Sequence, residues 1–404
     1  MASSASSTLP LPTLSLAVIL LALCARGGEA RPPPPLHGVR PLAFDEGYTQ
    51  IFGSANLALL RDGRRVRLTL DESTGAGFAS QDVFLHGFFS AAIKLPADYA
   101  AGVVVAFYLS NGDVYEKTHD ELDFEFLGNV RGREWRVQTN VYGNGSTDAG
   151  REERYDLPFD PTDDFHHYSI LWTSDRITFY VDETPIQEVV RTAAMGAAFP
   201  SKPMSLYATI WDGSAWATLG GRYRVNYKYA PFVAEFADLA IQGFAVDPAA
   251  DHAVASCGAG LGLGLGPGPL AVSAEQRSAM AAFRRAHTSY SYCHDRRRYP
   301  VALSECGAGA GLLPGRMFGP DGMKQHRRHL GRGARPPRRR PGRRRHVIAG
   351  PWPLATSRRR GGDGCTLWIG LDWIGLGGLG GDCPGWKSSP HCTIRAMEVG
   401  RVYC

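Results

Sequence analysis

The fold is decided by the stretch His119-Asp-Glu-Leu-Asp-Phe-Glu-Phe-Leu-Gly-Asn129. Acidic residues at positions 121, 123 and 125 alternate with apolar residues at 122, 124 and 126, which is the period of a half-buried β-strand. The three carboxylates are therefore predicted to project from one face of the strand. Because neighbouring like charges repel, at least one of them is expected to hold its proton well above its ordinary pKa.

Carboxylates with separated pKa values suit glycoside hydrolysis, which needs an ionised nucleophile and a protonated general acid. The Cα atoms of Glu121 and Glu125 are expected about 13 Å apart on a strand. Long side chains that lean inward can bring the carboxyl groups to the roughly 5–5.5 Å of a retaining pair. The alternatives are a metal site and a solvated acidic edge. Calcium sites usually lie on loops with Gly and Asn between the ligands, whereas Leu and Phe separate these, so the residues favour catalysis.

The stretch after His-Asp, from Glu121 to Asn129, resembles the active-site signature of the plant xyloglucan endotransglucosylase/hydrolases, in glycoside hydrolase family sixteen. Further segments resemble the same family, at residues 45–49, 86–90, 138–140, 164–172, 208–212 and 290–300. The resemblance thus covers residues 40 to 306 or so. It implies an all-β, concanavalin-like jelly-roll sandwich with a short helical C-terminal extension, and neither a cofactor nor a metal.

The resemblance also implies roles for individual residues. Glu121 would be the nucleophile, Glu125 the general acid that then serves as base, and Asp123 an assisting carboxylate that tunes the protonation of the nucleophile. His119, on the same face, is either a hydrogen-bonded spacer or a direct participant. The implied substrate-binding residues are Gln138, Thr139, Asn140, Arg151, Glu152, Arg154, Trp211, Trp216, Gly220 and Arg298. Without the resemblance, the two tryptophans would be assigned to core packing rather than to stacking on sugar rings.

Two positions depart from the family pattern. Ala215 stands where relatives usually have Asp, so one polar contact with the substrate is expected to be missing. Pro158 replaces a usual Trp and is expected to disturb a strand or to remove a platform. Neither position belongs to the carboxylate triad.

Short alternating runs with Gly, Asn and Asp turns extend from Phe44 to about Phe244, as in a sandwich or jelly roll. Strands are predicted at 66–70, 135–141, 168–172 and 177–181, the last two joined as a hairpin through 173–176. One helix is predicted over 273–286, with Ser273 as its cap. The predicted order is a signal peptide at 1–30, a catalytic domain at 31–246, a C-terminal extension at 247–306 and a tail at 307–404.

The charge of the chain, formally +5, is unevenly distributed. Residues 307–404 hold 18 Lys and Arg against 5 Asp and Glu, which leaves 26 basic and 34 acidic residues in 1–306. The tail is rich in Arg, Pro and Gly, and such a composition is expected to remain disordered. It would act as a solvated segment or as a tether to acidic wall polysaccharide. Binding of nucleic acid by the Arg run is disfavoured by the export signal.

The N-terminus predicts export, because residues 14–23 are apolar but too short to span a bilayer, and small residues follow at 28–30. The mature protein is therefore expected in the cell wall and apoplast, soluble and without a membrane anchor. Export permits disulfides, and Cys293 and Cys306 are predicted to close a short loop. The resemblance implies a partner for Cys257 within residues 243–248, where related proteins often have Gly-Cys. This segment contains no cysteine, so Cys257 is expected to lack a partner. Asn144-Gly-Ser146 is a glycosylation sequon.

The leading hypothesis from the resemblance is a monomeric, secreted, retaining enzyme. It would cleave the β-1,4-glucan backbone of xyloglucan and transfer the glycosyl group to another xyloglucan chain. A xyloglucan-specific endo-hydrolase is the first alternative, because water can replace the acceptor. A non-catalytic, lectin-like binding protein is the second, although a binder gains nothing from three repelling carboxylates.

Overall fold

Two antiparallel β-sheets form a sandwich in the computed structural model, which describes residues 39–132, 134–246, 272–307 and 313–325. These residues belong to one compact unit, 1–339, and the second unit, 340–404, lies outside them. The prediction of an all-β sandwich is confirmed. The predicted signal peptide, the segment that contains Cys257, and the Arg-rich part of the tail all lie outside the described residues.

The first sheet has nine strands in the order β1-β4-β13-β6-β7-β8-β9-β15-β16. Their bounds are β1 Tyr48–Phe52, β4 Ala76–Ser80, β13 Ser205–Asp212, β6 Val103–Ser110, β7 Glu121–Leu127, β8 Arg136–Tyr142, β9 Glu153–Asp156, β15 Thr288–Asp295 and β16 Asp321–Met323. The acidic strand β7 thus lies at the middle of this sheet, between β6 and β8. Pro158 follows the end of β9, so it interrupts no strand.

The second sheet has seven strands in the order β12-β11-β10-β5-β14-β3-β2. Their bounds are β12 Thr184–Val190, β11 Arg176–Val181, β10 His166–Trp172, β5 Val83–Lys94, β14 Phe232–Val246, β3 Arg65–Leu70 and β2 Leu57–Leu60. The predicted hairpin is present, with Tyr168 opposite Val181 and Trp172 opposite Ile177. This sheet supports the first from behind, because the buried apolar core contains side chains from both.

The inward side of β7 explains why this strand is held firmly. Leu122, Phe124 and Phe126 are fully buried. The Phe124 ring meets the ring of Phe179 edge-on at 5.1 Å, and the Phe126 ring meets that of Tyr168 at 4.6 Å. Each such side chain contributes about 1.5–3 kcal/mol by leaving water. A slip of one residue would expose all three, so the core fixes the register of the carboxylates.

In the described part of the chain, two α-helices accompany the sheets, α1 over Phe44–Gly47 and α2 over Ala274–His287. Ser273 caps α2 as predicted, since its hydroxyl accepts a hydrogen bond from the amide of Gln276 at 3.1 Å, and the Gln276 side chain accepts one from the amide of Ser273 at 3.0 Å. The Arg284 guanidinium on α2 donates to the carboxylate of Glu153 at 2.6 Å and so anchors the helix to β9. Among the described residues, none of the helices is both long and apolar enough to cross a membrane.

The prediction that order ends at Cys306 is wrong for residues 313–325, which supply the edge strand β16. Phe318 stacks on the ring of His294 at 4.4 Å, and Leu313 is buried. The Lys324 ammonium donates to the carbonyls of Arg285 and Ala286, both at 2.8 Å, at the C-terminal end of α2. The average composition of residues 307–404 did not reveal this segment, which has apolar side chains and pairs with the edge of β15.

Candidate active site

The register of the first sheet places the three carboxylates on one face. In β7, Glu121, Asp123 and Glu125 lie opposite residues 110, 108 and 106 of β6, and opposite residues 142, 140 and 138 of β8. Directly opposed side chains of an antiparallel pair point to the same side of the sheet. Because the residues between them fill the core, the acidic face is the outer face of the nine-stranded sheet.

Glu121 lies among hydrogen-bonding groups at the start of β7. Its Oε2 accepts a hydrogen bond from the Ser110 hydroxyl at 2.7 Å and lies 3.9 Å from Nε2 of His119. That same nitrogen is 2.8 Å from the Tyr142 hydroxyl. Burial raises the pKa of Glu121, and the Ser110 hydroxyl and the His119 ring oppose this rise. The His119 ring is thus hydrogen-bonded to Tyr142 and lies near Glu121, and both predicted roles, spacer and participant, stay open.

Asp123 is almost completely buried between the two glutamates. Burial, followed by the charges of Glu121 and Glu125, raises the pKa of Asp123 well above its ordinary value. A protonated Asp123 can donate a hydrogen bond to the neighbouring Glu121 carboxyl group.

Glu125 has the environment of a protonated acid. Burial, together with the negative charge of Glu152, raises the pKa of Glu125 to about 8. The Gln138 amide donates to Oε2 of Glu125 at 2.6 Å, and this hydrogen bond opposes the rise. Near neutral pH the carboxyl of Glu125 thus holds its proton. The site therefore places a protonated carboxylic acid on the same face as a second glutamate, which is the pair of groups that glycoside hydrolysis requires.

The strand β8 corrects one sequence-based expectation. Gln138 and Asn140 lie opposite Glu125 and Asp123, on the outer face. Thr139 lies opposite Phe124, is fully buried, and donates a hydrogen bond to the Gln187 side chain at 2.6 Å. The expected substrate contact of Thr139 is therefore wrong, because a shift of one residue along a strand reverses the face.

Arg151 is also removed from the face on which it was expected. Its side chain is buried and forms an ion pair with Glu305, and it donates to the Ala198 carbonyl at 3.3 Å. The guanidinium is satisfied inside the protein, so the predicted substrate contact of Arg151 is not supported. The pair instead anchors the C-terminal extension beside Cys306, which is joined to Cys293 in a disulfide.

A cluster of charged residues lies beside Gln138, the hydrogen-bond partner of Glu125. It consists of Glu152, Arg154 and Arg298. Glu152 forms an ion pair with Arg154 at 2.6 Å and another with Arg298 at 3.3 Å. The Arg154 guanidinium also donates to Oε1 of Gln138 at 2.8 Å. All three predicted residues therefore connect to the Glu125 environment.

The two predicted tryptophans lie together at the end of β13. Their ring centroids are 6.0 Å apart, and both pack partly against Val104, Leu127 and Ala217. Trp211 lies opposite Val104, which in turn lies opposite Leu127, so it shares the face of the carboxylates. Both rings remain half-exposed, which leaves surface for a ligand.

The turns around this face hold the remaining predicted positions. Ala215 is exposed, and Gly220 lies in an exposed turn with φ of 66°. Asn144 is exposed at a tight turn after β8, where both it and Gly145 have positive φ. The asparagine of the sequon is therefore accessible to solvent.

Sequence reasoning missed Asp120, the residue before the proposed nucleophile. Its side chain is fully buried and accepts hydrogen bonds from the amides of Asn144, Ser201 and Lys202 at 2.7–2.8 Å. The Lys202 ammonium also reaches it at 2.6 Å. The alternation of side chains along the strand could have revealed this residue. Position 120 has the same inward orientation as positions 122 and 124, and a charge that faces the core must be paired.

Two family models match successive parts of the chain. Residues 44–229 match the family model described as "Glycosyl hydrolases family 16", and residues 270–306 match "Xyloglucan endo-transglycosylase (XET) C-terminus". The chain is 64% identical over 265 residues to "Probable xyloglucan endotransglucosylase/hydrolase protein 28" of Arabidopsis thaliana, with 66% of this chain and 79% of the relative covered. Protein 27 of the same series and organism is 63% identical over 264 residues, which are 65% of this chain and 78% of the relative.

A solved structure, the β-glucanase of Bacillus licheniformis, aligns with a TM-score of 0.39 at 23% identity, over 47% of this chain and 89% of that one. The sequence relatives carry the assignment. From their identity and coverage, the chain belongs to the xyloglucan endotransglucosylase/hydrolase family, within glycosyl hydrolases family 16.

Proposed function

We propose that this protein cleaves the β-1,4-glucan backbone of xyloglucan with retention and transfers the glycosyl group to another xyloglucan chain. The observation that carries this proposal is the outer face of β7, where Glu121, Asp123 and Glu125 share one face and the pKa of Glu125 is raised to about 8, as a general acid requires. Family membership supports the substrate class, since the relatives are named for xyloglucan.

In the proposed reaction, the Glu121 carboxylate attacks the anomeric carbon, and the proton of Glu125 passes to the departing glycosidic oxygen. A covalent glycosyl-enzyme results, with Glu125 ionised. Glu125 then takes the proton of the incoming hydroxyl while that oxygen displaces Glu121, and two inversions give overall retention. Asp123 donates a hydrogen bond to Glu121 and helps it to leave as a carboxylate.

The remaining proposed roles concern substrate binding. Trp211 and Trp216 would stack on sugar rings, since half-exposed indoles offer flat apolar surface. The polar groups proposed to contact sugar hydroxyls are Gln138, Asn140, Glu152, Arg154 and Arg298, and Gly220 would contribute backbone only. Export to the cell wall, glycosylation at Asn144, a monomeric state and adhesion of the basic tail to acidic polysaccharide are further parts of the proposal.

Hydrolysis is the second candidate, because water can resolve the same intermediate. A non-catalytic binding protein is disfavoured, because holding a buried acid beside two other carboxyl groups costs stability without improving sugar binding.

The test supplies the purified protein with xyloglucan and a labelled xyloglucan oligosaccharide. We expect label to enter the polymer without a matching rise in reducing ends. A rise in reducing ends without incorporation would establish the hydrolase. Neither signal, in a protein that still binds xyloglucan, would reject catalysis altogether.

A further inference from the structure

A continuous series of polar contacts joins the C-terminal extension to Glu125. The Arg298 guanidinium contacts Glu152 at 3.3 Å, and Glu152 contacts Arg154 at 2.6 Å. Arg154 donates to Oε1 of Gln138 at 2.8 Å, and the Gln138 amide donates to Oε2 of Glu125 at 2.6 Å. The series begins in the extension, crosses β9 and β8, and ends at the carboxyl of Glu125.

The first member of the series is held in place by the extension itself. Arg298 lies inside the loop closed by the disulfide between Cys293 and Cys306. Its amide donates to Asp295 at 3.0 Å, and its guanidinium donates to the Thr147 carbonyl at 3.0 Å. The next residue, Tyr299, donates from its hydroxyl to the Gly150 carbonyl. Arg298 is thus held by hydrogen bonds at its backbone amide and at its guanidinium.

The charges around Glu125 can be enumerated by element. On its own strand are Glu121 and Asp123, and on β8 Arg136 follows one position along the same face, paired with Asp156 at 3.2 Å. Around β9 are Glu152 and Arg154, and from the extension come Arg298 and Tyr290, whose ring lies 5.3 Å below the Arg154 guanidinium. Glu152 is the acidic member of this group that two arginines share.

We propose that Glu152 and Arg298 are positioning residues through which the disulfide-closed loop of the extension sets the electrostatic field at Glu125. This inference rests on the proposed function, in which Glu125 is the acid. Glu152 favours the protonated acid by repulsion, and Arg298 limits that effect by neutralising part of its charge. Arg154 and Gln138 fix the direction in which the Glu125 carboxyl faces.

Removing Glu152 and removing Arg298 should therefore shift the pKa of Glu125 in opposite directions. In Glu152→Gln the repulsion is lost and Arg154 is no longer neutralised, so the pKa of Glu125 falls. In Arg298→Gln the charge of Glu152 is less balanced, so the pKa of Glu125 rises. Glu152 is buried, but both of its arginine partners are about one third exposed, so water screens the interaction in part. We expect a decrease of about 0.5–1 pH unit for the first variant and a smaller increase for the second.

The experiment measures kcat/KM on xyloglucan against pH, whose alkaline limb reports the acid of the free enzyme. Arg297→Gln is the matched control, since it removes the same charge one residue away, and the described structure gives that side chain no ion pair. Arg298→Lys keeps the positive charge but lacks the planar guanidinium. The alkaline limb of its kcat/KM profile should therefore stay close to that of the wild type, even where KM changes. Opposite shifts in Glu152→Gln and Arg298→Gln, with none in Arg297→Gln, are the expected result.

The proposal would be overturned by an alkaline limb in Glu152→Gln that is the same as in the wild type, or by equal shifts of this limb in Arg298→Gln and Arg297→Gln. Glu152 and Arg298 would then be substrate contacts only. A second readout does not depend on turnover: the carboxyl carbon of Glu125 is titrated by NMR in protein labelled at glutamate, and is assigned by its loss in Glu125→Gln. Should the wild type not act on xyloglucan, the proposed function fails, while this titration still decides the electrostatic inference.

Discussion

Replacing Asp120 with asparagine should destabilise the protein although the side chain never reaches the cleft. The carboxylate is fully buried and accepts three amide hydrogen bonds and one from the Lys202 ammonium. These contacts join the start of β7 to the turn at Asn144 and to the segment at Ser201. The substitution keeps the volume but replaces one accepting oxygen by a donating NH2 group, which then faces donors.

The magnitude follows from the number and kind of contacts. A hydrogen bond to a charged group contributes about 1.5–3 kcal/mol, and breaking a buried ion pair by removing one partner costs about 3–5 kcal/mol. The Lys202 side chain is 26% exposed, so water can solvate part of its charge after the change. We expect Asp120→Asn to lower the free energy of unfolding by about 2–4 kcal/mol.

Urea unfolding with linear extrapolation measures this loss. The control is Asp156→Asn, which removes the partner of Arg136 in an exposed pair and should cost less than about 1 kcal/mol. Because the backbone of Glu121 follows directly, kcat on xyloglucan should also fall, by about tenfold or more if Glu121 is misplaced by a fraction of an ångström. A loss in Asp120→Asn no greater than that in Asp156→Asn would refute the reasoning.

Four further outcomes are expected. Glu121→Gln should abolish turnover while leaving the unfolding transition cooperative, and substantial residual activity in the purified variant would reject the nucleophile assignment. Activity should decline as pH rises through about 8, because the raised pKa of Glu125 keeps the acid protonated below this value and lets it ionise above; a rate that stays flat well beyond pH 8 would contradict it. A chain ending at Gln325 should melt like the whole protein, whereas one ending at Cys306 should melt lower, because β16 and its stacked phenylalanine are lost; equal melting temperatures would show that β16 contributes nothing. Trp216→Ala should raise KM much more than it lowers kcat, as expected when binding common to ground and transition states is removed, and an unchanged KM would return this residue to packing.

The sequence by itself determined the features that depend on local geometry. The period of two in β7 predicted which carboxylates share a face, since successive side chains of a strand alternate. The same reasoning predicted the hairpin between β10 and β11, and the cap at Ser273 followed from hydrogen bonds that span three residues. These inferences needed no knowledge of distant parts of the chain.

Only the tertiary structure decided which polar groups serve the cleft and which are used inside the protein. Arg151 was expected at the substrate, but its partner Glu305 is 154 residues away in sequence, and no local pattern reveals such a pair. Thr139 follows the rule of alternation, yet the resemblance included it with two neighbours that face outward. Asp120 and Lys202 are 82 residues apart. Charge pairing acts through space and at short range, so it is settled only when packing brings distant segments into contact.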